Sequence, residues 1–297
     1  MTKLLLFGAL AVAAITVGVI AVIPQSQGKN TEASKVETFG LPEHQLEVVG
    51  PKHPTFNKLI AGETSNVDKS KIEPFSVFVV NNSNQAIASC TLKYEILLRD
   101  GQTVTHFNTK TGTLEPVSDG GTAQLAEGIA AKGNLLFSLT DSPGSDNQHR
   151  KVSTSGGVSN IADQLSNSVE VRISIDGVLF VDGTYVGPDA NNYFELLRGK
   201  IAANRELDTE IAQLINNGAT PKAIINHLEK VANTKSSEVQ ISPGEDPQYS
   251  FGKWMQKNSY ARLLSLMGKT KGDQAVLDRI QTGLNKPEIK LRKLKEN

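Results

Sequence analysis

The sequence predicts an α+β protein in three parts: an apolar N-terminal helix, a β-sandwich, and a helical region that follows it. Three observations predict this. Residues Leu4 to Ile23 carry no charged side chain, short runs of alternating apolar residues recur between residues 75 and 187, and from Asn191 onward apolar residues recur at three- and four-residue steps. A chain of 297 residues can hold one large or two modest domains, each burying its own core.

At a helical rise of about 1.5 Å per residue, the first segment spans roughly 30 Å, the thickness of a bilayer's hydrocarbon core. Lys3 and the amino terminus precede it, so the positive-inside bias leaves the start of the chain in the cytoplasm and sends everything after Pro24 outward. The stretch is longer than the ~7 to 15 apolar residues of a secretory signal, yet Pro24 and Ser26-Gln27-Gly28 suit a signal peptidase. Residues 1–23 are therefore expected to be a signal peptide or a retained membrane anchor, touching the bilayer through residues 4–23 if retained. Either way the body is exported, facing the periplasm or secreted. Residues 24–50, punctuated by Gly28, Gly40, Pro42 and Gly50, read as a linker, with the fold starting near Pro51.

Residues 51–188 are expected to form the sandwich. Its strands are "FSVFVVN" (75–81), "CTLKYEILL" (90–98), "QTVTHFNT" (102–109), "NLLFSLT" (134–140) and "VEVRISI" (169–175). In the last, Val169, Val171, Ile173 and Ile175 fall on one face and Glu170, Arg172 and Ser174 on the other. Antiparallel pairing of about seven or eight such strands is expected, because the runs are short and separated by turn residues. Asp176-Gly177 between apolar alternations predicts a two-residue hairpin. The polar run 141–160 reads as an exposed insertion. Cys90, the only cysteine, permits no intramolecular disulfide and reads as a small buried hydrophobe, which suits a bacterial envelope protein that stands on its core.

Over residues 70–140, "FSVFVVNNSNQAI", "YEILLRDG" and "IAAKGNLLFSL" resemble the strand-turn-strand run of immunoglobulin-like and fibronectin-like modules in exported bacterial envelope proteins. The chain departs from that pattern: Lys132-Gly133 stands where such modules commonly carry Pro-Gly, and the antibody-type cysteine pair is missing. The resemblance implies an antiparallel immunoglobulin-like β-sandwich in an exported protein and brings no catalytic residues with it.

A helical hairpin is expected over 189–234. Phe194, Leu197 and Ile201 are out of phase with Leu207, Ile211 and Leu214, which predicts a break near Asn204. Gly218 closes this part, and Thr220-Pro221 caps the next helix. Asp189 is expected to cap the first. A linker over 235–250 precedes a basic helical tail, 251–297, in which eleven Lys or Arg stand against four Asp or Glu. Three short helices are expected there, the last carrying Ile289, Leu291 and Leu294, and Trp254 reads as core.

The chemistry-bearing patterns lack the context their chemistry needs. Ser250-Phe251-Gly252-Lys253, Ser145-Asp146-Asn147 and Lys110-Thr111-Gly112 match the short signatures of serine penicillin-binding enzymes, but in reversed order and, on this reading, in loops, linkers or turns. Gly268-Lys269-Thr270 has Leu263 where a phosphate-binding loop needs its first glycine. The five histidines form no close pair. Asp176 and Asp182 are too far apart along a strand to share a metal ion, and aromatics at 5% are sparse for a sugar cleft. The 31 basic and 31 acidic residues cancel, so no global field favours nucleic acid.

The expectation is a non-enzymatic exported protein that contacts a protein partner in the cell envelope, with no catalytic, cofactor or metal site. The alternative is an extracytoplasmic hydrolase with its site between sandwich and helices, for which Asp182, Asp189 and His149 are the candidates.

Overall fold

The computed structural model describes residues 34–62, 75–112, 116–119, 122–138, 161–239, 241–286 and 288–294. The apolar segment 4–23 and the insertion carrying His149 lie outside the described residues. Among the described residues, no helix is long and apolar enough to cross a membrane.

The fold is α+β, with one mixed sheet, one antiparallel sheet and C-terminal helices. The mixed sheet centres on two long strands, β4 (Ile87–Leu98) and β9 (Ser168–Phe180), paired antiparallel, with β5 (Thr103–Thr111) beyond β4. On the other side of β9, β1 (Lys35–Phe39) pairs parallel with its first half and β10 (Thr184–Val186) antiparallel with its end. The second sheet has the order β2 (Leu46–Val49), β3 (Val77–Asn81), β8 (Asn134–Phe137). A two-stranded ribbon joins β6 (Pro116–Asp119) to β7 (Thr122–Leu125).

Alternation explains how the sheets face each other. Cys90, Leu92, Tyr94 and Ile96 of β4 and Val171, Ile173 and Ile175 of β9 share one core with Leu46 and Val48 of β2, Val77 and Val79 of β3 and Phe137 of β8. The outer face of β3 is buried as well, because Phe78 packs edge-on to Phe56 of α1 (Pro54–Gly62) with ring centroids 5.4 Å apart. Along one side of the sandwich, Asn108 and Lys110 of β5 donate to the carbonyls of Ser138 and Leu136, at 2.9 and 2.7 Å. These side chains occupy backbone acceptors of the β8 edge, a protection against edge-to-edge pairing.

Several sequence expectations are corrected here. The linker expected over 24–50 is, from Lys35, already part of both sheets through β1 and β2. The sheets are not purely antiparallel, since β1 runs parallel to β9 and the chain end runs parallel to β10. Asp176-Gly177 makes no hairpin: β9 runs straight through it, with a register shift between the pairs Thr91/Gly177 and Leu92/Ile175. That shift is a β-bulge, in which one extra residue changes the phase of alternation. Odd-numbered Val171, Ile173 and Ile175 face the sandwich core before it, and even-numbered Val178 and Phe180 after it. Val169, expected on the buried face, is 39% exposed at the strand's beginning.

Further corrections concern the helices. After the short α2 (Ile161–Ser166) that precedes β9, α3 (Tyr193–Asn216) is continuous through Asn204. Its two apolar sets are out of phase because they serve two cores: Phe194, Leu196 and Leu197 pack on the back of the mixed sheet with Ala88, Leu179 and Tyr185, whereas Leu207 and Ile211 join the core of the helical bundle. That bundle adds α4 (Pro221–Ala232), α5 (Pro247–Lys271) and α6 (Asp273–Asn285). The linker expected over 235–250 ends earlier, because Asp246 accepts the Gln248 N–H at 2.7 Å and starts α5 at Pro247. α5 is a single long helix, and the tail after α6 is a strand, β11 (Arg292–Lys293), which joins the mixed sheet.

Side-chain pairs climb α3 and α5 together, from Asn192 with Asp246 through Asn204 with Gln256 to Asp208 with Tyr260, so these helices run in the same direction. They approach closely at Gly199 and Gly252, where a Cβ would collide with the Tyr249 and Leu196 carbonyls. α4 runs back along α5. Its last carbonyls are taken by α5 side chains: Asn258 donates to Val231, Arg262 to Ala232, and Trp254 to Thr234 just beyond.

Candidate functional site

A groove of about 830 Å³ lies between α3, α6 and the chain after Asn285. That volume is within the ~300–1,000 Å³ typical of ligand clefts. Ile201 of α3 and Ile289 and Leu291 of the tail give it an apolar part, and Tyr249 and Tyr260 of α5 line it as well. The Arg198 guanidinium sits 5.4 Å from the Tyr249 ring centre, and that of Arg279 sits 5.6 Å from Tyr260.

The electrostatics of the groove depend on what its charges pair with. Glu206 pairs with Lys253 at 3.0 Å and Glu210 pairs with Lys257, both bases lying outside the lining. Asp208 is buried and accepts the Tyr260 hydroxyl at 3.0 Å. Arg205 and Lys290, by contrast, have no ion-pair partner among the described residues, although Arg205 reaches the Lys286 carbonyl at 3.4 Å. Glu206 and Glu210 are thus compensated from behind, while Glu288 also lines the groove, so Arg205 and Lys290 share it with one further carboxylate.

A second polar cluster lies under the start of α3. Asp189, backbone φ +55°, accepts the Phe194 N–H at 3.1 Å and the Tyr185 hydroxyl at 2.9 Å, and its other oxygen is 2.8 Å from Lys293 Nζ. It thus satisfies an orphan donor of the first helical turn, as expected of a cap, but from three residues before the boundary residue Asn192. Asp176 accepts the Ala190 N–H at 2.9 Å through Oδ1, while its Oδ2 is buried without a hydrogen-bond partner among the described residues. Burial pushes this carboxyl above its ordinary range, against the Ala190 bond and with help from the Asp189 charge. Burial, and then the Asp189 charge, also raises the Tyr185 phenol. These groups bond to one another and to the backbone, which makes the cluster a structural joint.

The hydrolase candidates do not converge. Asp182 bonds to the Thr184 N–H and hydroxyl at 2.8 and 3.0 Å and faces Arg292 at 3.3 Å. Asp189 bonds to Tyr185 and Lys293. Thr184 and Tyr185 are consecutive in β10, as are Arg292 and Lys293 in β11, so the two carboxylates are engaged on opposite faces of one ribbon. His149 lies outside the described residues. Of the remaining histidines, His106 is buried against Gln164 at 2.6 Å. No group of three His, Cys, Asp or Glu among the described residues is placed to hold a metal ion.

Two of the penicillin-binding signatures lie on regular elements after all, a correction to their expected place in loops or linkers. Ser250 and Lys253 are in the first turns of α5, and Lys110 and Thr111 end β5. The Ser250 hydroxyl donates to Glu245 at 2.5 Å, beside a smaller cavity of about 310 Å³ that Trp254 also lines. Lys253 is unsuited to act as a base: burial pulls its ammonium down, but the Glu206 hydrogen bond and charge outweigh that and hold it above its ordinary value. Thr111 bonds to Ser89 and Tyr193. Gly268-Lys269-Thr270 lies within α5, so its backbone N–H groups belong to a helix and form no phosphate cradle. Trp254 is half-buried, its ring 5.4 Å from Phe251.

Sequence reasoning missed the groove. Its residues come from α3, α5, α6 and the tail, and the only trace in the sequence was the basic excess after residue 250. No protein-family model, no curated protein and no solved structure matches this chain, so the reading of its function rests on this geometry.

Proposed function

We propose that the chain is a non-enzymatic exported protein of the cell envelope that binds a protein partner in the groove between α3, α6 and residues 286–291. The observation that carries this reading is the arrangement of the groove: Glu206 and Glu210 are held by bases outside it, and Arg205 and Lys290, without ion-pair partners among the described residues, stand with Glu288 beside an apolar strip. Charged groups around an apolar centre are the usual anatomy of a protein-binding surface. Export rests on the uncharged segment 4–23 behind Lys3. The two facing sheets with their shared core are consistent with an immunoglobulin-like sandwich elaborated by α1 and by parallel β1. The hydrolase alternative loses support because Asp182 and Asp189 are engaged on opposite faces of the ribbon.

The test is site-specific photo-crosslinking from Thr209, which lines the groove, in the full chain expressed in a bacterial host. A discrete crosslinked protein, weakened when Arg205 and Lys290 are both changed to Glu, is expected. Crosslinking unchanged by those substitutions, or none at all, would refute the groove as the partner site. Recovery of the intact chain as a soluble, protease-protected cytosolic protein would refute export.

A further inference from the structure

Two buried aspartates fasten the connection between β10 and α3 to the sheet. Asp176, at the bulge of β9 and 1% exposed, takes the Asp189 N–H on its main-chain carbonyl at 2.7 Å and the Ala190 N–H on Oδ1 at 2.9 Å. Asp189, whose side chain is also 1% exposed, takes the Tyr185 hydroxyl and the Phe194 N–H and faces Lys293. The Asn192 N–H returns to the Asp189 carbonyl at 2.9 Å.

The backbone of this connection is not in a relaxed conformation. Gly187, Asp189 and Asn192 have φ of +108°, +55° and +55°. The left-handed region is unfavourable for residues that carry a Cβ, even though Asp and Asn tolerate it better than most. Such a backbone persists where its surroundings over-determine it, and here the hydrogen bonds to the two aspartates do so.

The aspartates differ in what satisfies them. Asp189 has a cation and two donors, whereas Asp176 Oδ2 has no hydrogen-bond partner among the described residues. Burial is the strongest influence on Asp176 and opposes its ionisation, and the Asp189 charge on the connection opposes it too. Lys93 of β4 and the Ala190 and Asn191 N–H groups favour the charge but do not outweigh burial. The Tyr185 hydroxyl of β10 donates to Asp189, and Lys293 of β11 is paired with Asp189. Ionising Asp176 therefore sets a second negative charge near the first, in a site that supplies no hydrogen-bond donor to its Oδ2.

We propose that Asp176 and Asp189 form a pH-sensitive latch: with Asp176 neutral the connection 187–192 stays closed on β9, and with Asp176 ionised it opens locally while the rest of the fold stays intact. Local opening of this kind draws on the least stable contacts of a structure, and a connection in left-handed backbone conformations is such a place. The latch is independent of what the groove binds. The closed form holds the Asp176 proton above the ordinary value of 3.8, and the open form, with the carboxyl in water, holds it at that value. The advantage of the closed form is thus complete below pH 3.8 and is lost as pH rises through the raised value. Between the two values opening grows about tenfold per pH unit, and above the raised value it levels off.

Hydrogen exchange of the full chain in detergent micelles tests this, read by mass spectrometry with fragmentation to single residues from about pH 4 to pH 8. Protection is corrected for the intrinsic pH dependence of exchange. The expected result is that protection of the Asp189 and Ala190 amides falls at least tenfold across this range, while that of Leu228 inside α4 does not follow, and that Asp176→Asn abolishes the fall. Protection that is constant with pH in the parent chain would overturn the latch. An equal fall in Asp176→Asn would assign the titration to another group, and a parallel fall at Leu228 would make the event global; either result overturns it. If Asp176→Asn does not fold, Lys93→Gln takes its place: the fall should move to higher pH, and an unmoved or lowered transition would refute the role of Asp176.

Discussion

Asp176 places Oδ1 2.9 Å from the Ala190 N–H, tying the bulge of β9 to the approach to α3, and leaves Oδ2 buried with no hydrogen-bond partner among the described residues. A carboxylate in that setting is held at a cost, because the lone pairs of its second oxygen have lost water and gained no donor. The joint between sheet and helices is therefore built around a group that the fold stabilises better protonated than ionised.

The sign of the pH dependence follows. The folded-state value is raised above the ordinary 3.8, so the folded chain binds this proton more tightly than the unfolded chain. Its contribution to stability is complete below pH 3.8 and is lost as pH rises through the raised folded value. Asp176→Asn keeps an acceptor for Ala190 and carries no charge. Urea unfolding at neutral pH should find this variant more stable by about 1–3 kcal/mol, with the advantage shrinking as pH falls toward 4. A variant less stable than the parent at neutral pH would show that Asp176 acts as a needed anion.

Gly177, next to it, lies directly under Tyr185, and a Cβ there would collide with the hydroxyl and the ring carbon that bears it. Gly177→Ala should cost about 1–3 kcal/mol as an overpacked core. Adding Tyr185→Phe removes the hydroxyl, so the double variant should be less destabilised than the sum of the two singles. Strict additivity in thermal unfolding would mean that the two residues do not touch.

Ser250 tests the enzymatic reading. Its hydroxyl is committed to Glu245, and Lys253 is held as a cation by Glu206, so the lysine of the signature is not available as the base that activates the serine. A fluorophosphonate probe is expected to leave Ser250 unlabelled in the folded chain at any pH from 6 to 9. Stoichiometric labelling at that residue would reinstate a hydrolase.

Cys90 is buried in the core between the sheets, and burial pushes its thiol well above the ordinary cysteine range. Its reaction with a disulfide reagent should be limited by unfolding and should accelerate in step with denaturant-induced opening. Rapid labelling of the native chain would put the residue at the surface.

The strands around 75–81, 90–98, 102–109, 134–137 and 169–175 were legible because each reports a local, period-two pattern that survives folding. So was the start of α4, where Thr220 accepts the Ala223 N–H and Pro221 opens the helix. The bulge was misread for a definable reason: Asp176-Gly177 between two alternating runs fits a hairpin and a phase shift equally, and only the register with Thr91 and Leu92 separates them. The groove was illegible because Arg205, Tyr260, Arg279 and Lys290 are ordinary surface or helix residues until α3, α6 and the tail are brought side by side.

By itself, the sequence determined the bilayer-length apolar segment, the α+β class and the positions of five strands and of α4, since hydrophobic period and capping chemistry act over a few residues. Only the tertiary structure decided that β1 joins β9, that α3 stays continuous while serving two cores, that Asp182 and Asp189 work on opposite faces, and that the tail returns as β11. Each of these depends on pairing or packing between residues far apart in the chain, where the governing energy is contact and desolvation, and no local pattern encodes which surfaces will meet.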